Sequence, residues 1–380
     1  MSRAGGVGRD DDRLARALLC RVAEPGEPEL TRAVAARGAP AVVADLLAGR
    51  LRNRAALHWQ ARVPTARPER DLDVAEALGA RFLIPGDAEW PDRLSDLSRL
   101  PGDHGGVPIG LWVRGDPDLR AVCRRSVAIV GARASTAYGE YVASEFALGL
   151  VDRGWAVVSG GAYGIDGAAH RGALSGDGVT VAVLACGVDV AYPRGHAALI
   201  GRIMSGGLVV SEWPPGCAPM RHRFLVRNRV IAALTAGTVV VEAAIRSGSL
   251  STANRARDLS RHVMAVPGPI TSTMSAGANE LLRQPETTCV TSAADVVELV
   301  GSIGDDLAPL LDVPRDPRDD LDSIARRVLD AVPVRRPAGP ASIARTAGVD
   351  PIQVNRALGG LAARGFVERA DAGWRLAGRQ

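Results

Sequence analysis

Residues 126–135 read SVAIVGARAS, and this stretch decides the fold. An uninterrupted apolar run that ends in Gly131 is typical of a buried parallel strand, and the polar residues behind it predict a turn into a helix that begins near Gly139. Such a loop directs backbone N–H groups and the positive end of a helix toward an anion, and Arg133 adds a bidentate phosphate donor. The alternative for this stretch is a plain turn with a solvated Arg133.

Similar patterns repeat along the chain after this stretch. Further strand-like runs occupy residues 156–158, 179–184, 208–210, 238–241 and 262–266. Helical patterns lie between most of them, at residues 141–151, 165–174, 199–204, 229–234 and 252–259. Because strands and helices alternate at these lengths, residues 119–302 are predicted to form an α/β domain, with a mostly parallel, Rossmann-like sheet covered by helices on both faces.

Smaller modules are predicted on either side of this domain. Residues 1–79 carry apolar residues at helical spacing and predict a helical module, and residues 80–118 predict a connector rich in Pro and Gly with short strand-like pieces. Residues 303–320 predict a solvated linker. Residues 321–380 show three helical patterns followed by two strand-like pieces, which is the order of a winged helix.

The composition limits the classes of protein that the chain can represent. Hydrophobic residues make up 47% and charged residues 23%, which favours a globular protein, and the net charge of +4 permits a nucleic-acid partner. The five cysteines show no C-x-x-C spacing, so we expect neither disulfides nor a zinc site, and we expect no cofactor. No apolar run reaches the roughly 18 residues that span a bilayer, so we expect no membrane segment and a cytoplasmic location.

Three further stretches carry candidate functional residues. The block SGGAYGID at 159–166 precedes a helix that bears His170, and Asp166 with His170 is interpreted as a helix cap and a structural histidine rather than a catalytic pair. Arginines and one histidine surround Phe224 between residues 221 and 229, which predicts phosphate contacts beside a base-stacking ring. The alternative there is a solvated basic segment with Phe224 in the core. Ser247, Gly248 and Ser249 predict a second anion-binding loop at the same edge of the sheet.

At these residues the sequence resembles the DNA-processing protein A (DprA/Smf) family. The matching blocks occur in order at Gly131–Arg133, Ser159–His170, Ala182–Pro193, Ser211–Glu212, Phe224–Ile231, Val241–Ala253 and Val266–Gly268. The resemblance implies a domain that binds single-stranded DNA without enzymatic turnover, forms a homodimer and loads the RecA recombinase in natural transformation. It also implies an N-terminal module like a sterile-alpha-motif domain and a C-terminal winged helix.

The predicted DNA contacts combine the resemblance with the loop patterns above. They are Gly131, Arg133, Ser135, Arg194, Arg221, Phe224, Arg227, Asn228, Arg229, Ser247, Gly248 and Ser249. Two departures from the family pattern lie among these blocks, since Ala132 replaces the usual Ser and Leu225 replaces the usual Pro. Both could change the fine geometry of the groove.

Two other functions remain open at this point. A phosphoribohydrolase-like nucleotide enzyme also places a Glu and Gly-rich loops above such a sheet, but its P-G-G-x-G-T-x-x-E block is absent around Glu242. A transcription regulator would use the winged helix on duplex DNA, with Gln353, Asn355 and Arg356 as candidate base readers.

Overall fold

The computed structural model describes residues 4–51, 54–100, 106–302, 306 and 316–378. The chain forms two compact units, Met1–Pro309 and Leu310–Gln380. Most of the predicted linker, at residues 303–305 and 307–315, lies outside the described residues. None of the helices in the described part of the chain is long and apolar enough to cross a membrane.

The first unit begins with the predicted helical module. Its helices are α1 (Ala4–Val22), α2 (Pro28–Arg37), α3 (Ala39–Leu47), α4 (Arg54–Arg62) and α5 (Pro68–Ala77). α2 and α5 each open on a proline, whose fixed φ and missing N–H suit the first turn of a helix. Leu19, Leu30, Val42, Leu46 and Trp59 are buried together and hold the module as one cluster.

A nine-stranded sheet forms the centre of the first unit. Its strands are β1 (Ala80–Leu83), β2 (Leu111–Arg114), β3 (Ser126–Val130), β4 (Ala156–Ser159), β5 (Thr180–Val183), β6 (Leu208–Ser211), β7 (Gly237–Val240), β8 (His262–Ala265) and β9 (Thr287–Cys289). Their spatial order is β1-β2-β6-β5-β4-β3-β7-β8-β9. In this spatial order, every pair of neighbouring strands in the run β6-β5-β4-β3-β7-β8-β9 is parallel. β2 pairs antiparallel with both β1 and β6. The predicted α/β fold is confirmed.

Helices cover both faces of this sheet. They are α6 (Leu119–Arg124), α7 (Ala137–Val151), α8 (Ile165–Ser175), α9 (Ala197–Gly206), α10 (Arg221–Leu234), α11 (Ser249–Asp258), α12 (Ala276–Leu281) and α13 (Ala293–Val300). Alternate residues of β3 point to opposite faces, so Val127 and Ile129 pack in one cluster with α7 and α8. Ala128 and Val130 pack in the other cluster, with α10 and α11.

The structure differs from the predicted elements in two places that matter below. The stretch predicted as a connector contains the two strand-like pieces that the sequence indicates, and these pieces join the sheet as β1 and β2, so the sheet starts at Ala80. The helix predicted over residues 229–234 begins eight residues earlier, at Arg221, which places the whole arginine cluster on α10. Charged residues occur on every side of this helix, so its sequence lacks the apolar spacing that predicts a helix. Its buried face forms hydrogen bonds with polar groups that are described below.

The second unit has the order of elements predicted for a winged helix. Three helices, α14 (Ser323–Ala331), α15 (Pro340–Ala347) and α16 (Pro351–Ala363), precede an antiparallel pair, β10 (Val367–Ala370) and β11 (Gly373–Leu376). A single bridge between Ala338 and Trp374 joins the segment before α15 to this pair. Val328, Ile343, Leu358 and Val367 are among its buried residues.

Candidate nucleic-acid interface

The predicted DNA contacts lie where the parallel strands end. The loops after β3, β4, β5 and β7 and the first turn of α10 meet at one edge of the sheet, named here the carboxyl edge. Two close backbone approaches hold the β4 loop to its neighbours. A Cβ on Gly160 would lie 2.5 Å from the Arg227 guanidinium, and one on Gly164, with φ +73°, would lie 2.3 Å from the carbonyl oxygen of Ala132. Only glycine fits at Gly164, and a side chain at Gly160 would displace the buried Arg227 guanidinium.

The exposed centre of the carboxyl edge is a contact between Arg133 and Phe224. The Arg133 guanidinium carbon lies 4.6 Å from the centre of the Phe224 ring, and the Tyr192 ring lies 5.6 Å from the same centre. Arg221 shares this helix face, because it precedes Phe224 by three residues on α10. The structure therefore brings together a cation and two aromatic rings at the mouth of the loops, as the sequence predicts for Arg133 and Phe224.

Several arginines at this edge have unneutralised charges. Arg133, Arg194, Arg221 and Arg246 are all exposed. Among the residues that the structure describes, no carboxylate forms an ion pair with any of the four. Arg246 was not among the predicted contacts. It could have been predicted, because it lies in the loop after β7 and directly precedes Ser247. The edge therefore carries positive charge that is free to meet phosphates.

The anion position beside the β3 loop is filled by the chain itself. The Glu242 carboxylate, only 1% exposed, accepts hydrogen bonds from the Thr136 backbone N–H at 2.9 Å and from the Thr136 hydroxyl at 2.7 Å. Gly139, on the first turn of α7, packs against this carboxylate. The helix N-terminus expected to receive a ligand's anion instead binds Glu242. Arg133 remains exposed beside it.

The other small predicted contacts are part of the loop framework. Gly131 is half-buried, and a Cβ there would lie 2.5 Å from the Ile165 side chain. Ser135 donates a hydrogen bond to Glu140 at 2.7 Å. Ser247 and Ser249 join their hydroxyls at 2.7 Å, which leaves the backbone of Gly248 exposed between them.

Three consecutive residues on α10 that the sequence predicts as DNA contacts are buried in the structure. Arg227, Asn228 and Arg229 are 4%, 7% and 0% exposed. Each holds a different segment of the chain. Arg227 donates to the carbonyls of Gly160 and Val183, at the ends of β4 and β5, and Asn228 donates to the carbonyl of Gly248 at 3.2 Å. Arg229 pairs with Glu212 through two hydrogen bonds of 2.7 and 2.8 Å.

The N-terminal module packs against the part of α10 that carries Arg223 and Arg229. Glu24, which follows α1, accepts hydrogen bonds from Arg223 at 2.7 Å and from the Trp213 indole at 3.1 Å. A Cβ on Gly26 would lie 3.2 Å from Arg229 Nε. Burial lowers the pKa of Arg227 to about 10, which leaves it charged at neutral pH. These arginines support the loops of the carboxyl edge from below.

Asp166 and His170, interpreted from the sequence as a helix cap and a structural histidine, are both buried. The Asp166 carboxylate accepts hydrogen bonds from the backbone N–H groups of Gly160 and Ala162, so it closes the β4 loop rather than capping α8. Burial raises its pKa, and Arg227 opposes that shift. His170 is fully buried and lies 2.8 Å from the Thr180 hydroxyl. Neither side chain is placed to reach a ligand.

Lowering the pH should destabilise the first unit through His170. The Thr180 hydroxyl donates its hydrogen to the Val157 carbonyl, so His170 Nδ1 is the donor to Thr180, and Nε2 is buried without a partner among the described residues. Burial, with nearby positive charges, lowers the pKa of His170 to about 3. Between about pH 6.5 and pH 3, the His170 imidazole is therefore protonated in the unfolded chain but not in the folded one. Over this range the free energy of unfolding falls as the pH falls, by up to about 1.4 kcal/mol per pH unit.

Urea unfolding at several pH values measures this effect. His170→Asn keeps a donor for Thr180 but cannot titrate, so its free energy of unfolding should depend less steeply on pH than that of the wild type. Equal slopes for the two proteins would contradict the role of His170.

Comparison with known proteins shows which family the chain resembles. Residues 81–301 match the family model described as DNA recombination-mediator protein A. The chain is 46% identical over 367 residues to the DNA processing protein DprA of Mycobacterium tuberculosis, covering 95% of this chain and 94% of that protein. It is 42% identical over 204 residues to the protein Smf of Escherichia coli, covering 53% of this chain and 52% of that protein.

A solved structure agrees with this match. The X-ray structure of DNA processing protein A from Streptococcus pneumoniae superimposes with a TM-score of 0.63 at 28% identity, covering 77% of this chain and 98% of that one. The matched residues run from the second residue of β1 through β9 and include all the loops of the carboxyl edge. The chain therefore belongs to the DNA recombination-mediator protein A family, the DprA/Smf family of DNA processing proteins.

Proposed function

We propose that the carboxyl edge binds single-stranded DNA, without enzymatic turnover. The observation that carries this proposal is the exposed Arg133 guanidinium on the face of Phe224, with the ring of Tyr192 beside it. Single strands expose both the phosphates and the faces of their bases, and a site of arginines and aromatic rings suits both. A duplex hides its base faces in the stack, so the rings would add nothing to its binding.

The proposed contacts are fewer than the sequence suggested, and they include one more arginine. Phosphates would be bound by the exposed arginines and by the exposed backbone between Ser247 and Ser249, and bases would stack on Phe224. Gly131, Ser135, Arg227, Asn228 and Arg229 would act indirectly, by holding these loops in place. The contacts are Arg133, Arg194, Arg221, Phe224, Arg246, Ser247, Gly248 and Ser249.

The surroundings of Glu242 favour a binding protein over a nucleotide-processing enzyme. A catalytic carboxylate must reach its substrate. The Glu242 carboxylate is buried and both of its oxygens accept hydrogen bonds from Thr136. A carboxylate in this position keeps the loop before α7 in shape and is shielded from a bound nucleotide.

We further propose that the bound strand is delivered to the RecA recombinase in recombination and transformation, and that the protein acts as a homodimer in the cytoplasm. Support comes from the family, whose model is described as a recombination mediator. Light scattering of the full chain tests the dimer. An assay of RecA filament formation on strands coated with single-strand-binding protein tests the delivery.

Fluorescence anisotropy of a labelled oligothymidine, with a duplex of equal length alongside, tests the DNA proposal. If about four to six arginine–phosphate contacts form, the slope of log K against log salt should be about −3 to −4, since each contact adds about −0.7 on a single strand. The single strand should bind more tightly than the duplex at every salt concentration. A flat salt response would contradict the proposal, and a preference for the duplex would favour a regulator that uses its winged helix.

A further inference from the structure

The distribution of tyrosines singles out the carboxyl edge. The protein has four tyrosines, and all four are exposed by 38% to 65%. Each follows the end of a parallel strand. Tyr138 and Tyr141 lie on the first turns of α7 after β3, Tyr163 lies in the loop after β4, and Tyr192 lies in the loop after β5. Five of the six tryptophans, by contrast, are buried. Exposed aromatic rings gathered at one edge indicate a surface that a ligand covers.

The charges beside the four rings divide them into two pairs. Tyr141 lies next to Glu140 on the chain and one helical turn before Glu145, and carboxylates repel phosphates. The Tyr138 hydroxyl donates to the Pro267 carbonyl at 2.8 Å, which turns this ring toward the β8 loop. Tyr192 instead lies two residues before Arg194, and the Tyr163 hydroxyl contacts Gly195, the residue after it; the charge of Arg194 is unpaired among the described residues. Only this second pair therefore suits a polyanion.

Tyr192 and Tyr163 continue directly from the Arg133–Phe224 contact. The Tyr192 ring lies 5.6 Å from that of Phe224, at an angle of 45°. The Gly195 backbone N–H donates to the Tyr163 hydroxyl at 3.2 Å. Gly195 is three residues from Tyr192, so these two residues are separated by at most about 11 Å. Phe224, Tyr192 and Tyr163 therefore lie close together at the carboxyl edge, and these three rings are named here the row.

The ring of Tyr163 is held in position although it is exposed. It forms a T-shaped contact with the ring of the buried His196, with centres 4.8 Å apart, and its hydroxyl accepts the bond from Gly195. His196 in turn lies 3.1 Å from the Gly161 carbonyl through Nδ1, which joins the β4 and β5 loops. A fixed ring loses little side-chain freedom when a base stacks on it, so less of the stacking energy is spent on ordering the site.

We propose that Tyr192 and Tyr163 are two further base-stacking positions, so that successive bases of a single strand lie on Phe224, Tyr192 and Tyr163, with phosphates on Arg133 and Arg194. This inference rests on the proposed function. It adds that Tyr163 and Tyr192, which carry no positive charge for phosphates, contact the bases. Since every base has an aromatic face, the row accepts any sequence.

Binding of an intact oligothymidine and of an abasic strand of equal length, measured by anisotropy, tests this row. The abasic strand keeps its phosphates but cannot stack. Tyr163→Ala and Tyr192→Ala should each weaken binding of the intact strand by about 5- to 150-fold, which corresponds to the loss of one stacked base, and leave binding of the abasic strand unchanged. Tyr163→Phe and Tyr192→Phe should keep most of the affinity. Tyr141→Ala, the matched exposed control, should bind both strands like the wild type.

The outcomes separate this row from the proposed function. If Arg133→Ala weakens binding while the two tyrosine-to-alanine variants bind both strands normally, the row is wrong and the DNA site stands. An equal loss for Tyr141→Ala would also overturn the row, because it would remove the distinction between the two pairs. If the wild type binds neither strand, the proposed function fails and the row with it. Thermal melting of each variant, expected to match the wild type, shows that the exposed substitutions leave the fold intact.

Discussion

Replacing Arg229 with methionine is expected to lower the free energy of unfolding of the first unit by about 3–5 kcal/mol. The substitution leaves the Glu212 carboxylate, 4% exposed, without its cation, and an unpaired buried charge is among the costliest single defects in a protein. Urea unfolding followed by tryptophan fluorescence measures the loss, because five of the six tryptophans belong to this unit.

Two further variants separate loss of the pair from loss of a DNA contact. Arg229→Met combined with Glu212→Leu removes both charges and should recover much of the stability, because a buried ion pair can be replaced by apolar side chains of similar size at little cost. Arg221→Met changes an exposed arginine of the same helix and should leave unfolding within about 0.5 kcal/mol of the wild type. If Arg229→Met were fully stable but bound DNA poorly, the buried role assigned to Arg229 would be wrong.

Replacing Arg133 with alanine is expected to weaken binding of single-stranded DNA by about 10- to 100-fold. A hydrogen bond between a charged donor and an anion contributes about 1.5–3 kcal/mol, and the variant also loses the cation on the face of Phe224. The loss should be similar for every base sequence, because a phosphate contact does not distinguish bases. The slope of log K against log salt should become less steep by about 0.7.

The choice of substitutions makes the Arg133 experiment specific. Arg133→Lys keeps the charge but loses the planar fork that binds two phosphate oxygens and stacks on a ring, so its affinity should fall between those of alanine and arginine. Arg120→Ala is the control, because Arg120 is half-buried, pairs with Asp92 and lies on α6 before the start of β3, at the opposite end of that strand from Arg133. An unchanged affinity in Arg133→Ala, with a salt slope like that of the wild type, would move the DNA site away from this loop.

Local pattern was enough to predict the parallel part of the sheet. The six predicted strands agree with β3 to β8 within one or two residues, because each is a buried run bounded by turn residues on both sides. β9 was missed, since Thr287 and its two neighbours are short and polar. The strand-like pieces predicted at residues 82–84 and 111–113 agree with β1 and β2 within two residues, but their antiparallel place in the sheet was not predicted, because they lie in a stretch dominated by Pro and Gly.

The sequence by itself determined the α/β class and the edge on which the loops gather, since the ends of parallel strands must face the same way. It also placed Arg133 and Ser247–Ser249 at that edge, because each follows a strand and precedes or opens a helix, whereas Phe224 was singled out by the arginines around it and by the family resemblance. These properties depend on neighbours within a few residues along the chain, which is the range over which periodicity and turn chemistry act.

Only the tertiary structure decided which arginines of α10 face solvent. Arg221 and Arg229 look alike in the sequence, but Arg229 meets Glu212 and the turn at Gly26, and Arg223 meets Glu24. Arginine is charged and normally exposed. An arginine side chain can therefore be buried only where the folded chain places a carboxylate or several carbonyl oxygens next to it. Those partners come from loops and from a separate helical module up to 199 residues away along the chain, beyond the reach of any local pattern.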